Sequence, residues 1–219
     1  LILLTPGSQS LPIGWYCEIL KSPLEDPASR SITLHDLLTS RMGIGWGDHQ
    51  FLFTLLNLLP APIAKPMGVE HKNFDSDTWL GRLGRLPLVY DPGTHFLYHI
   101  AHEVLGILIA RVTGKTLEAF FQERIFKPLG MVDKSLTVPL EKRNRLSVAY
   151  APDSEDGLAI LDHPQSTGWA EDPLFPSGGA GLISTVDDYQ RFGQMLLGKG
   201  ELDGVSLLSR KSVEAMTTD

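Results

Sequence analysis

Residues 86–131 limit what this chain can fold into more than any other stretch: LPLVYDPGTHFLYHIAHEVLGILIARVTGKTLEAFFQERIFKPLGM. The segment opens at a proline–glycine turn, Asp91-Pro92-Gly93, passes Tyr98, and enters the longest apolar repeat in the sequence. Leu97, Ile100, Ala101, Val104, Leu105, Leu108, Ile109 and Val112 recur at steps of three and four residues, the spacing of a helix buried along one broad stripe. Gly114 stands where a helix takes a left-handed stop, and Thr116 can cap the next one. A second helix is therefore predicted over residues 117–126, stopped at Lys127-Pro128-Leu129-Gly130. Periodicity establishes these helices and says nothing about chemistry.

Upstream, Thr33 and Asp36 have capping-box spacing, with Asp in place of the usual Glu, and Leu34, Leu37 and Leu38 are the expected buried side of a short helix. Three glycines in Met42-Gly43-Ile44-Gly45-Trp46-Gly47 force a loop whose backbone turns sharply or is closely approached. Asp48 can cap a helix holding Phe51, Leu52, Leu55, Leu56 and Leu59, and a proline-bearing loop then runs to a short helix with Trp79, Leu80 and Leu83. Downstream, residues 133–176 read as a long irregular region with one strand near 146–150 and a polar turn at 152–157. Ser177-Gly178-Gly179-Ala180-Gly181 is a turn with exposed backbone. Ser184 and Asp187 repeat the capping box, with Val186, Tyr189, Phe192 and Leu196 expected inward and Gly198 closing the helix. A turn at Asp203-Gly204, a strand over 205–208 and a helix capped by Ser209 complete the chain.

A net charge of −7 with dispersed basic residues disfavours nucleic acid, because phosphate binding needs concentrated Lys and Arg. The densest basic group, Lys142, Arg143 and Arg145, adjoins Glu141 and reads as a solvated loop. No apolar run approaches the roughly 18 residues of a membrane span, so no membrane partner is expected. Leu1-Ile2-Leu3-Leu4 lacks the basic flank and length of a signal peptide. The single Cys17 forms no intrachain disulfide, which suits a reducing compartment without establishing one; the localisation stays open and tips toward the cytoplasm.

Neither a P-loop, nor a dinucleotide fingerprint, nor a Gly-x-Ser-x-Gly elbow is present. His95, His99 and His102 fall at i, i+4 and i+7, so one helix would align all three, and Glu103 or Asp91 could complete a zinc site. A polar stripe opposite the apolar face explains the same spacing, and no metal or other cofactor is expected. Tyr98, read on pattern alone, is a boundary tyrosine of the core.

Several segments in order carry a resemblance. They are Ile32-Thr33-Leu34-His35-Asp36-Leu37-Leu38-Thr39-Ser40; Tyr90-Asp91-Pro92-Gly93-Thr94 with Tyr98 and Val104-Leu105-Gly106; Phe126-Lys127-Pro128-Leu129-Gly130-Met131; and Ser177-Gly178-Gly179-Ala180-Gly181-Leu182-Ile183-Ser184-Thr185 with Asp187-Asp188-Tyr189. From about Trp15 onward the chain resembles the serine β-lactamase-related family, which includes class C β-lactamases, DD-peptidases and family VIII carboxylesterases. The resemblance implies an α-rich α+β chain, the helical region of the β-lactamase/DD-peptidase-like fold with most of the central antiparallel sheet not represented. It implies one partial domain over 1–219, with a poorly defined segment at 1–30.

In that family a serine of a Ser-x-x-Lys motif is acylated by an ester or amide, and its lysine and the tyrosine of a Tyr-x-Asn motif move the protons. Tyr98 corresponds to that tyrosine and is the expected catalytic residue. Gly45, Trp46, His99, Ser177, Gly178 and Gly179 are the expected pocket lining, and the expected partner is a small ester or a β-lactam-like substrate. Two departures stand out. Tyr98-His99-Ile100 lacks the asparagine, as in some esterase-like members, which favours an esterase. No Ser-x-x-Lys occurs in the 219 residues, and the C-terminal wall motif is also absent, so the chain reads as an internal piece. A non-catalytic binding or structural protein on the same scaffold is the alternative, β-lactamase or DD-peptidase activity the third reading, and a zinc hydrolase a distant one. Homo-oligomerisation is open, since apolar surface where the sheet should be would promote pairing.

Overall fold

The computed structural model describes residues 28–45, 75–84, 86, 88–153, 157–173 and 175–218. The predicted helix over Phe51–Leu59, Trp46 and Cys17 lie outside the described residues. The described helices are α1 (Leu34–Leu38), α2 (Ser76–Leu83), α3 (Ile100–Thr113), α4 (Leu117–Phe121), α5 (Val186–Leu197) and α6 (Arg210–Met216). Two antiparallel pairs accompany them, β1 (Ala149–Asp153) with β2 (Gly157–Asp162) and β3 (Glu201–Leu202) with β4 (Val205–Ser206). None of the described helices is long and apolar enough to cross a membrane. The contacts divide into two compact units, one of the described residues through Ile109 with those of Pro173–Ala180, the other of those of Ala110–Asp172 and Gly181–Asp219.

In the first unit, Leu37, Met42, Ile44, Trp79, Leu80, Leu83, Leu97, Ile100, Ala101, Val104, Ile107 and Phe175 form the core. The Trp79 and Phe175 rings meet at 4.9 Å, and Asp75 caps α2 by accepting the Asp77 and Thr78 N–H groups. The capping box of α1 forms between Thr33 and Asp36. Of its three leucines only Leu37 is buried; Leu34 and Leu38 are exposed. The reason is Asp36, which turns inward to take Arg30 Nη1 and Nη2 at 2.6 and 2.8 Å together with the Thr33 N–H and hydroxyl. Burying that carboxylate rotates the leucines on either side away from the core. The apolar stripe leading into and along α3 is largely as expected: Leu97, Ile100, Ala101 and Val104 are buried together with Ile107; Leu105, Leu108 and Ile109 are half-buried, and Val112 in the last turn is exposed.

In the second unit, Gly114 takes φ +65° after α3, and Thr116 accepts the Ala119 N–H to start α4. That helix continues as a π-helical turn over Gln122–Phe126, matching the predicted span. Phe126, Leu129, Met131 and Met195 are the core, packed by Phe121, Ile125, Phe192, Leu196, Leu202, Leu207 and Leu208. Helix α5 starts one residue later than its capping box predicts: Thr185, not Ser184, accepts the Asp188 N–H. Asp188 then accepts the Val132 and Asp133 N–H groups at 3.1 and 2.6 Å, so it faces inward and leaves Val186 and Tyr189 exposed. Residues 133–176 are less irregular than expected, since β1 and β2 pair Tyr150 with Ile160 and Pro152 with Leu158. The basic group lies at the surface as expected, on a 3-10 turn over Leu140–Arg145 with no buried residue, and is paired there. Lys142 and Arg145 both bind the Asp133 carboxylate, at 2.6 and 2.7 Å, and Arg143 donates to the Val138 and Ala170 carbonyls. Ser209 caps α6 as predicted.

Candidate active site

The chain reaches α3 through an extended segment in which exposure alternates. Phe96 and Tyr98 are exposed, while Leu97 and His99 are buried. Alternation of this kind is a property of extended backbone, where successive side chains point to opposite faces. The Tyr98 ring, 57% exposed, is therefore not a core residue despite its place at the head of an apolar helix.

Two glycine-bearing loops close on this segment. A Cβ at Gly45 would lie 2.8 Å from Leu97 Cβ and 2.9 Å from the carbonyl oxygens of Leu97 and Tyr98. The same loop accepts the Leu97 N–H on the Ser40 carbonyl at 2.8 Å. A Cβ at Gly179 would lie 3.1 Å from Glu103 Oε1 and 3.2 Å from His99 Cε1. One at Gly178 would lie 2.2 Å from the His102 carbonyl oxygen, well inside contact distance. Glycine at 45 and 178 is thus set by close approach of backbone to backbone.

Glu103, fully buried, joins α3 to the second loop. Its Oε1 accepts from the Ser177 hydroxyl at 2.6 Å and its Oε2 from the Gly178 N–H at 2.9 Å. The Ser177 hydroxyl oxygen accepts the Gly179 and Ala180 N–H groups in turn, at 3.3 and 2.9 Å. Burial pushes the Glu103 carboxyl above its usual range, against the Ser177, Gly178 and Gly179 donors that stabilise its charge. His99 Nδ1 lies 3.7 Å from Glu103 Oε1. Burial, and then the neighbouring His102, push the His99 imidazole down. Burial works against the charged form of each group, so it weakens any ion pairing across this 3.7 Å contact.

His99 has φ +79°, a left-handed backbone that costs a non-glycine residue on the order of 1 kcal/mol. That turn lets the extended run carrying Tyr98 pass into α3 at Ile100.

Of the predicted site residues, Tyr98, His99, Ser177, Gly178, Gly179 and Gly45 all fall in the first unit, and Trp46 lies outside the described residues. The three histidines do not align on one helix. His95 precedes α3, stacks on Tyr90 at 3.8 Å and meets Thr94 Oγ1 at 2.9 Å; His99 is buried before the helix begins; His102 is exposed. Among the described residues no cluster of three or more His, Cys, Asp or Glu is placed to hold a metal ion. Sequence reasoning missed Glu103 as the residue that holds the loop. Its signal was available: Glu103 is three residues after Ile100 and four before Ile107, inside the buried stripe rather than opposite it.

A family model described as Beta-lactamase matches residues 8–219. Protein Rv1367c of Mycobacterium tuberculosis is 36% identical over 195 residues, covering 88% of this chain and 45% of that protein. Esterase EstB of Burkholderia gladioli is 28% identical over 194 residues, 82% of this chain and 48% of EstB. Among solved structures, the simvastatin synthase LovD of Aspergillus terreus superposes with a TM-score of 0.60 at 27% identity, covering 85% of this chain and 43% of LovD. The chain thus spans about half the length of the relatives it matches, and its described residues are helix-rich with two small antiparallel sheets. With its tyrosine segment, its Ser177–Gly181 loop and a match running from residue 8 to the last, this chain belongs to the Beta-lactamase family and has its fold.

Proposed function

We propose that this chain is the helical region of a serine carboxylesterase that acts on small acyl esters through an acyl-enzyme, with Tyr98 as a proton carrier. The observation that carries the reading is the exposed Tyr98 phenol on a backbone gripped by the Gly45 loop and followed by a His99 ring packed on Gly179. A tyrosine serving only as core would be buried. The esterase name of EstB supports the substrate class, and the Tyr98-His99 pair supports ester over β-lactam. Gly45, His99, Ser177, Gly178 and Gly179 line the substrate side in this reading, and the chain is one part of a single catalytic domain.

The nucleophile is the serine of a Ser-x-x-Lys segment, which the family carries and these 219 residues do not. Its hydroxyl oxygen attacks the ester carbonyl, and its proton passes by way of the Tyr98 Oη and the lysine to the departing alcohol. Water then attacks the acyl-enzyme, returning the proton to the serine by the same groups.

The test uses the protein that carries this chain, with p-nitrophenyl butyrate, nitrocefin and a fluorophosphonate probe. Wild type is expected to hydrolyse the ester, to label, and to leave nitrocefin largely intact. Tyr98→Phe is expected to lose about 100-fold or more in kcat with KM little changed. A fully active Tyr98→Phe rejects the role given to Tyr98. A wild type that neither hydrolyses nor labels rejects the esterase and favours a binding protein on the same scaffold.

A further inference from the structure

We propose that Glu103 is a positioning residue of this site: its buried carboxylate holds the Ser177–Ala180 backbone on the first turn of α3 and so fixes that backbone beside His99 and Tyr98. The inference rests on the reading of Tyr98 given above.

One side chain sets the course of four residues. Glu103 Oε2 takes the Gly178 N–H directly, at 2.9 Å. Glu103 Oε1 takes the Ser177 hydroxyl, at 2.6 Å, and that hydroxyl oxygen gathers the Gly179 and Ala180 N–H groups. A carboxylate suits this task because both oxygens only accept, and the two donors converge from one loop. An apolar residue would fill the space without the desolvation cost of a buried carboxyl, so the polar group acts through direction rather than volume. The held backbone has little freedom, with Gly178 against the His102 carbonyl and Gly106 and Gly179 against the His99 ring. His99 follows Tyr98 directly and has a left-handed φ of +79°, so its placement constrains the tyrosine's backbone as well.

Glutamine at 103 would keep one acceptor and put a donor in place of the other, so one of the two loop bonds survives; alanine would remove both. Amide hydrogen exchange of the intact chain separates these cases. Glu103→Ala is expected to speed exchange at Gly178, Gly179 and Ala180 by about tenfold or more, while the β1–β2 and α5 amides stay protected. Ser177→Ala is expected to speed Gly179 and Ala180 but leave Gly178 slow, because only Gly178 bonds Glu103 directly. Glu103→Gln is expected between wild type and Glu103→Ala. In the active protein, ester kcat should fall in the order wild type, Gln, Ala, with KM changing less than kcat.

Exchange unchanged in Glu103→Ala, or equal loss at Gly178 and Ala180 in Ser177→Ala, overturns the proposal. So does a kcat that stays flat across the series while exchange follows the expected order. Should Glu103→Ala fail to fold, the Ser177→Ala pattern decides by itself. A wild type inactive on esters rejects the esterase reading, and the exchange pattern then still decides whether Glu103 fixes the loop.

Discussion

Replacing Gly178 with alanine adds one methyl group, and the structure gives that methyl nowhere to go. Its Cβ would stand 2.2 Å from the His102 carbonyl oxygen and 2.8 Å from Gly106 Cα and N, all backbone atoms of α3. A carbon rests against a carbonyl oxygen at about 3.3 Å, so loop and helix must part by roughly 1 Å. The Gly178 N–H, now 2.9 Å from Glu103 Oε2, would then lie beyond hydrogen-bond range. Overpacking of this kind costs about 1–3 kcal/mol and a lost buried bond to a carboxylate a further 1–3 kcal/mol, so about 2–6 kcal/mol is expected in all. The same chemical change at Gly81 supplies the control. That glycine lies within α2 with nothing inside 4 Å of its added Cβ, so alanine there should stabilise by about 0.5–1 kcal/mol. Urea unfolding followed by fluorescence reads both. With a slope of about 2 kcal/mol/M, Gly178→Ala should lower the midpoint by about 1–3 M and Gly81→Ala should raise it slightly. A Gly178→Ala protein within about 0.5 kcal/mol of wild type at unchanged slope would refute the tight seating of the loop on α3.

Two further predictions address register and charge. Val186, exposed at the start of α5, should accept Glu within about 0.5 kcal/mol, whereas Met195→Ala in the core should cost about 2–5 kcal/mol; chemical denaturation that reversed this order would restore the register read from Ser184. Asp36→Asn and Glu103→Gln should shift stability in opposite directions with pH, measured as the difference from wild type by thermal unfolding between pH 3.5 and 8. Arg30 holds the Asp36 carboxyl far below the usual range, so its stabilisation is present above the unfolded value of about 3.9 and fades as pH falls. Burial raises the Glu103 carboxyl, so its contribution is present below about 4.3 and is lost as pH rises through the folded value. The Asn variant should therefore fall behind wild type as pH rises, and the Gln variant should gain on it; parallel curves for the two would contradict both assignments.

What the sequence disclosed was local. The stop at Gly114 and the caps at Thr33, Thr116 and Ser209 need only a few residues in a row, and each is found where the pattern puts it. Features decided by remote partners were not legible. Ser184-Thr185-Val186-Asp187-Asp188 holds two overlapping capping frames, and the N–H groups of Val132 and Asp133 select the second. The histidines at 95, 99 and 102 have helical spacing, but the extended run through Tyr98 delays α3 until Ile100. The Glu103–Ser177 bond links positions 74 residues apart, a distance no periodicity reaches.

These misreadings share a cause. Asp36, Glu103 and Asp188 are buried carboxylates in the first turn of α1, α3 and α5, where the helix N-terminus already favours negative charge. Each spends its oxygens on donors outside its own helix: Arg30 for Asp36, Ser177 and Gly178 for Glu103, Val132 and Asp133 for Asp188. Each takes a place in the buried face of its helix; beside Asp36 and Asp188, Leu34 and Val186, expected inside, face out. Counting only apolar residues misplaces the buried face of α1 and α5 and overlooks Glu103 within that of α3. The charge of the donor then decides how the carboxylate titrates. A guanidinium on Asp36 more than offsets its burial and lowers the pKa, whereas the uncharged hydroxyl and N–H on Glu103 do not, and burial prevails. An acidic residue three or four positions from buried apolar ones, in a first turn, is therefore better read as an anchor for a distant loop than as part of a solvated stripe.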